Sequence, residues 1–141
     1  MENKIFRPKV DKLFFIIWVP TLILLGAVTV VSFVDLIPIM IMTCTDLFVI
    51  YFLATSLVGY VELREETLFV KFGFVTKREI PYGKIRGISK KRSVIADSML
   101  SLKNSLDHVN IKYNRFDVIS VSVRDNDELI RELELRLNRV R

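Results

Sequence analysis

The chain has 141 residues, 51% of them hydrophobic, with a mean hydropathy of +0.37 and a formal net charge of +5. That is too apolar for an ordinary soluble domain, and the single cysteine, Cys44, excludes an intrachain disulfide framework and a cysteine-based zinc site. Charge is unevenly spread: the segment to Lys12 carries +2, residues 13–58 hold only Asp35 and Asp46, and the remainder carries +5.

Residues 1–12 are polar and basic, contain Pro8, and read as an N-terminal lead-in. Leu13 to Val34 then runs without a charge. As a helix it reaches roughly 33 Å, against about 30 Å for the hydrocarbon core of a bilayer. A second apolar run, Ile39 to Leu57, follows the short break Asp35–Pro38 and is just long enough to cross back. So short a connection makes the helices antiparallel, and residues 13–58 are predicted to form a two-helix transmembrane hairpin. Cys44 lies in the second run, as a small hydrophobe. Lys and Arg flank both outer ends and none lies in the tip, which places both termini in the cytoplasm by the positive-inside rule. A cleaved signal peptide is the competing reading of the N-terminus. It is disfavoured because the first run is longer than a signal h-region and a second follows at once.

Within the hairpin, Trp18 suits the cytoplasmic interface, and Pro20 is tolerated because membrane helices accept proline. Gly26 and Ala27 offer either a small surface for the partner helix or lipid-facing filler. Asp46 is the costly residue, since a carboxylate at helix centre costs about 2.5–3.5 kcal/mol on insertion scales. It is read either as a functional intramembrane acid or as a hydrated or helix-packing one.

After the hairpin the period changes to two. Tyr60–Arg64 is a first strand, turned at Glu65-Glu66. Thr67–Phe74 alternates Leu68, Val70, Phe72 and Phe74 against Thr67, Phe69, Lys71 and Gly73, the pattern of a half-buried strand. Gly73 marks a turn, Val75–Ile80 the returning strand, and Pro81-Tyr82-Gly83 another turn. Lys84–Lys90 is a weaker strand, and Ser93–Ser105 is irregular with a short helical turn at Asp97–Leu102. His108–Tyr113 and Phe116–Val123 are strands joined by the two-residue turn Asn114-Arg115. Asn126–Val140 is an amphipathic helix with the stripe Ile130, Leu133, Leu137 and Val140, capped by Ser122 or Asp125, with Glu132 and Arg136 as an i,i+4 pair. Residues 59–141 thus read as one α+β module.

Several stretches carry a family resemblance: Thr67-Leu-Phe-Val-Lys-Phe-Gly-Phe, Ile80-Pro-Tyr-Gly-Lys-Ile, Met99-Leu-Ser-Leu, Val109-Asn-Ile-Lys-Tyr, Phe116-Asp-Val-Ile-Ser-Val and the final helix. Together with the two preceding apolar helices they resemble the bacterial pleckstrin-homology-like (PH-like) membrane proteins, in particular the YyaB-like group. Ala96, Asp97 and Val123 stand near places where that group usually has proline. The resemblance implies a strongly bent antiparallel sheet capped by a C-terminal helix, in a protein of the bacterial cell membrane. It implies no reaction.

The residues point to no reaction either. There is no phosphate-binding, dinucleotide-binding, zinc-protease or nucleophile-elbow motif. The sole histidine, His108, lies beside Asp107 with no nucleophile placed near it, and reads as a surface residue. Neither a metal nor a cofactor is expected. The basic group Lys84, Arg86, Lys90, Lys91 and Arg92 is the candidate binding surface, with Lys84, Arg86 and Lys90 on one face if the strand is regular. Beside a membrane such a group attracts anionic lipid headgroups, at about 1 kcal/mol per cation. The rival is a solvated face that serves only topological sorting. Nucleic acid is not expected, because acids are interspersed and no aromatic stacking platform is evident. The leading reading is a non-enzymatic, membrane-anchored PH-like protein that binds a protein partner, a second copy of itself or anionic lipid. The alternative is an immunity protein against an antimicrobial peptide, acting through the hairpin.

Overall fold

The structure is a computed structural model that describes residues 2–93, 101–102 and 105–140. Two long apolar helices, α1 (Lys12–Val31) and α2 (Leu36–Val58), are followed by a bent antiparallel β structure and a C-terminal helix, α3 (Asn126–Val140). Both α1 and α2 are long and apolar enough to cross a membrane, and neither has a buried residue. The break between them is tighter than Asp35–Pro38. A 3-10 turn at Ser32–Val34 leads to Asp35 in extended conformation, and α2 starts at Leu36. Pro38 falls in the first turn, where a missing N–H costs no helical hydrogen bond. A Cβ on Gly26 would meet nothing within 4 Å, so the helices do not make their close approach there.

The strands are β1 (Lys4–Phe6), β2 (Tyr60–Leu63), β3 (Thr67–Phe72), β4 (Thr76–Pro81), β5 (Ile85–Arg92), β6 (residues 101–102), β7 (Asp107–Tyr113) and β8 (Asp117–Val121). They form two four-stranded sheets, ordered β1-β2-β3-β4 and β5-β7-β8-β6. All pairings are antiparallel except β6 with β8. The chain turns from one sheet to the other through the 3-10 turn Tyr82–Lys84, where the buried Tyr82 donates its hydroxyl to Arg64 O at 2.6 Å. The helical turn expected at Asp97–Leu102 lies outside the described residues up to position 100, and residues 101–102 pair as β6.

Alternation sets the core. Leu68 and Val70 of β3, Val109 and Ile111 of β7, and Ile119 and Val121 of β8 are fully buried, with Val61 and Leu63 of β2 beside them. Each such side chain contributes about 1.5–3 kcal/mol by leaving water. Leu129, Leu133 and Leu137 of α3 close the core. The buried stripe of α3 therefore includes Leu129, while Val140 is 54% exposed at the end of the helix. Asp125 supplies the cap, accepting from Glu128 N at 2.9 Å. Arg136 forms no pair with Glu132. It is buried, and its Nη1 and Nη2 donate to Arg64 O at 2.6 Å and Glu2 O at 2.8 Å. The β7–β8 loop has three residues, 114–116, since Tyr113 faces Asp117; Asn114 takes the left-handed conformation with φ 51°.

The N-terminal segment is more than a lead-in. Its strand β1 pairs with β2 in the register Lys4↔Leu63 and Phe6↔Val61, although the whole helical hairpin separates them in sequence. It then reaches the second sheet, where Arg124 N donates to Arg7 O at 3.1 Å, Lys9 N donates to Ser122 O at 3.1 Å, and Pro8 bridges to Val123. Asp11, the residue before α1, accepts from Ser105 Oγ at 2.6 Å and Leu106 N at 3.1 Å. Those bonds hold its carboxyl below the usual carboxylate range, with the Ser105 bond the largest cause. Hydrogen bonds thus tie the start of α1 to the domain, and β2 follows α2 after only Gly59.

Candidate functional site

The five basic residues do not form one face. β5 carries a bulge between Ile85 and Gly87, so Arg86 has no partner in the β5–β7 register, and the facing of every later residue is reversed. Ile85 and Ile88 consequently share the core side despite their odd spacing. Lys84 is not in the strand but in the turn before it, and its carbonyl accepts from Asn114 N at 3.0 Å. Lys84 and Arg86 are exposed, and Arg86 lines a cleft with Glu134 and Asn138 of α3. An irregular strand thus overturns the expectation that Lys84, Arg86 and Lys90 are aligned.

The other three lie at the opposite end of β5. Lys90 Nζ is held by Asp127 at 2.7 Å, and this bond raises its pKa. Arg92 is 3.8 Å from Asp107, which in turn is 4.0 Å from Lys9 Nζ. Lys9 stands three positions before the first residue of α1, so the Arg92 end of β5 sits beside the start of the first apolar helix. Lys91 is exposed and faces His108 across the sheet. The strand Ile85–Arg92, about 23 Å of extended chain, lies between Lys84 and the Arg92 end.

A second link to the helices comes from the β3–β4 turn, residues 73–75. Gly73 has φ +66°, and a Cβ there would stand 2.8 Å from Thr55 Cβ and 2.9 Å from Thr55 O on α2. Only glycine permits that approach. Next to it the Phe74 ring stacks on Tyr51 of α2, with centroids 6.2 Å apart. Phe74 therefore leaves the core face assigned by simple alternation. The signal was present in the sequence: Phe-Gly-Phe-Val at a turn is apolar where turns are normally polar.

Between the helices, Thr29 Oγ1 of α1 donates to Asp46 Oδ2 of α2 at 2.6 Å. Asp46 Oδ1 is buried with no hydrogen-bonding partner among the described residues. Asp46 therefore faces the partner helix. Thr43, Cys44 and Thr45 are exposed on the helix surface.

His108 is fully buried rather than on the surface. Its Nδ1 lies 3.2 Å from Leu106 O, and its Nε2 has no hydrogen-bonding partner among the described residues. Near it on the same face, Ser120 Oγ donates to Asn110 Oδ1 at 2.7 Å. These polar groups on β7 and β8 were missed from sequence because alternation only says that they oppose the apolar core. Among the described residues no group of three His, Cys, Asp or Glu could hold a metal ion.

A family model described as a bacterial PH domain matches residues 59–137. No curated protein and no solved structure matches the chain.

Proposed function

The chain belongs to the bacterial PH domain family, and from that premise we propose that it is a binding module held at the cytoplasmic face of the bacterial cell membrane, reading anionic headgroups with the Arg92 end of β5. Its family is one of recognition domains rather than of catalysts, and α1 and α2 fit a membrane anchor. The observation that carries the reading is that Arg92 and Lys9 both lie within 4.0 Å of Asp107, beside the start of α1. Held there, cations meet the leaflet at high local lipid concentration.

The pairing of β1 with β2 supports the topology. Strands on the two sides of the helical hairpin share one sheet, so both ends of the hairpin open on one side of the membrane. The basic flanks choose the cytoplasmic side. A reporter active only in the cytoplasm, fused after Arg141, should be active, and activity of a reporter that needs export would overturn the topology.

Lipid reading is tested on the full chain in micelles, by native mass spectrometry during titration with phosphatidylglycerol or phosphatidylcholine. Anionic lipid should be retained in preference to neutral lipid. Replacing Lys91 and Arg92 with Gln should weaken that preference, by less than the roughly 1 kcal/mol of an unpaired surface cation at Arg92 because Asp107 already engages it, while the same change at Lys84 and Arg86 should leave it intact. Lys90 contributes less, because Asp127 already engages it. Equal retention of both lipids would move the function to a protein partner.

The immunity reading draws on the apolar outer turn, where Phe33, Val34, Leu36 and Ile37 are exposed. Protection that persists in peptide-challenged cells carrying the domain without its hairpin would rule out a hairpin-based mechanism. The test piece needs residues 2–11 joined to 59–140, because β1 completes the first sheet.

A further inference from the structure

We propose that the β3–β4 turn is a membrane-inserted wedge that seats in the cytoplasmic leaflet beside α2 and fixes the orientation of the domain. The proposal rests on the placement of α2 in the membrane and uses a surface distinct from the β5 cations.

Three observations carry it. The first is depth. Tyr51, on which Phe74 stacks, lies seven residues before the last residue of α2, or about 10 Å along the helix axis. A ring at that level lies at or below the boundary between headgroups and acyl chains, the depth at which interfacial apolar residues lodge. The second is exposure. Phe74 is 50% and Val75 79% exposed, and the neighbouring α2 residues Phe48 and Phe52 are 68% and 57% exposed. The tip therefore extends the apolar surface of the span rather than forming an isolated patch. The third is the charge pattern. Lys71 stands just before the turn, with its Nζ 5.9 Å from the centre of the Tyr60 ring, and Lys77 and Arg78 stand exposed just after it. An apolar tip between cations matches a lipid leaflet, whose acyl region accepts the tip while phosphates meet the cations.

The close seat of Gly73 on Thr55 makes the wedge rigid. A flexible linker would allow the domain to turn on Gly59. With the tip docked and Asp11 bonded to Ser105 and Leu106, the domain is held at two points and keeps one face toward the bilayer.

The β7–β8 loop is the internal control. It also exposes an aromatic ring, Phe116 at 85%, with the Arg115 guanidinium 5.5 Å from its centre. That loop adjoins Lys84 and so lies a strand length from the Arg92 end of β5.

The test uses the full chain in liposomes, in a Trp18→Phe background. Val75→Trp should be quenched by lipids brominated on the upper acyl chain and protected from aqueous iodide. Phe116→Trp should show the reverse. A second probe avoids the bulk of tryptophan: in a Cys44→Ser background, Val75→Cys should react with a membrane-impermeant maleimide far more slowly than Phe116→Cys. Iodide quenching and maleimide reaction at position 75 that match those at position 116 would overturn the wedge. Protection from both without quenching by brominated lipid would overturn it too, in favour of a second copy of the chain covering the tip.

Discussion

Replacing Gly73 separates two demands made on a single residue. Gly73→Ala places a side chain in the left-handed region, at about 1–2 kcal/mol. It also drives a Cβ to 2.8 Å from Thr55 Cβ, so the turn must lift off α2. Lifting gives up the Phe74–Tyr51 stack, worth about 0.5–1.5 kcal/mol. Gly73→Asn keeps the steric collision but relieves the backbone, because asparagine tolerates this conformation, as Asn114 does at φ 51°. Alanine should therefore cost about 2–3 kcal/mol and asparagine about 1 kcal/mol. At about 4–8 °C per kcal/mol for a domain of this size, thermal unfolding of the full chain in micelles, followed by near-UV circular dichroism, resolves the two. Equal losses from both substitutions would refute the account of the turn conformation. An unchanged Tm in both would refute the seat on Thr55.

Arg136→Met should destabilise the domain by about 2–4 kcal/mol, since it removes two charge-assisted bonds to carbonyls while sparing a buried cation; an unchanged urea midpoint would count against the role given to Arg136. Thr29→Val and Asp46→Leu should each weaken the association of α1 with α2 by about 0.6–1.7 kcal/mol, and the double variant should lose no more than either alone, as measured by energy transfer between labelled helix ends in detergent titration. Asp11→Asn should cost most at neutral pH. The lowered pKa of Asp11 means that its stabilisation is present above the unfolded value of 3.8 and fades as pH falls through the folded value. Urea midpoints of wild type and variant should therefore converge in acid, and a gap that does not narrow below pH 3.8 would refute the assignment.

Much of the fold was legible because local pattern and tertiary burial agree. The alternation in β3, β7 and β8 and the limits of α3 follow from periodicity alone. The candidate site was less legible, because each of its features depends on contacts distant in sequence. Nothing local marks Arg86 as a bulge; that emerges only once Ile85 and Ile88 must both reach the core. Three residues, Lys4–Phe6, are too few to display a strand period, and β1 exists because β2 offers an edge. Arg136 reads as half of a surface pair until the carbonyls of Glu2 and Arg64 arrive beside it.

The pairing of β1 with β2 also sets an order of events during synthesis. Lys4–Phe6 leaves the ribosome first, yet its partner Val61–Leu63 is made only after both apolar helices. At about 5–20 residues per second, β1 waits roughly 3–11 s. Under the proposed topology, the helices insert and return during that interval. A nascent chain that crosses only once leaves β2 on the far side, and its domain cannot acquire the first strand, the anchor for Arg136 at Glu2, or the bond from Asp11 to Ser105. With that topology, the β1–β2 pairing forms only in a chain threaded both ways, and a wrongly threaded copy would keep an unpaired strand edge.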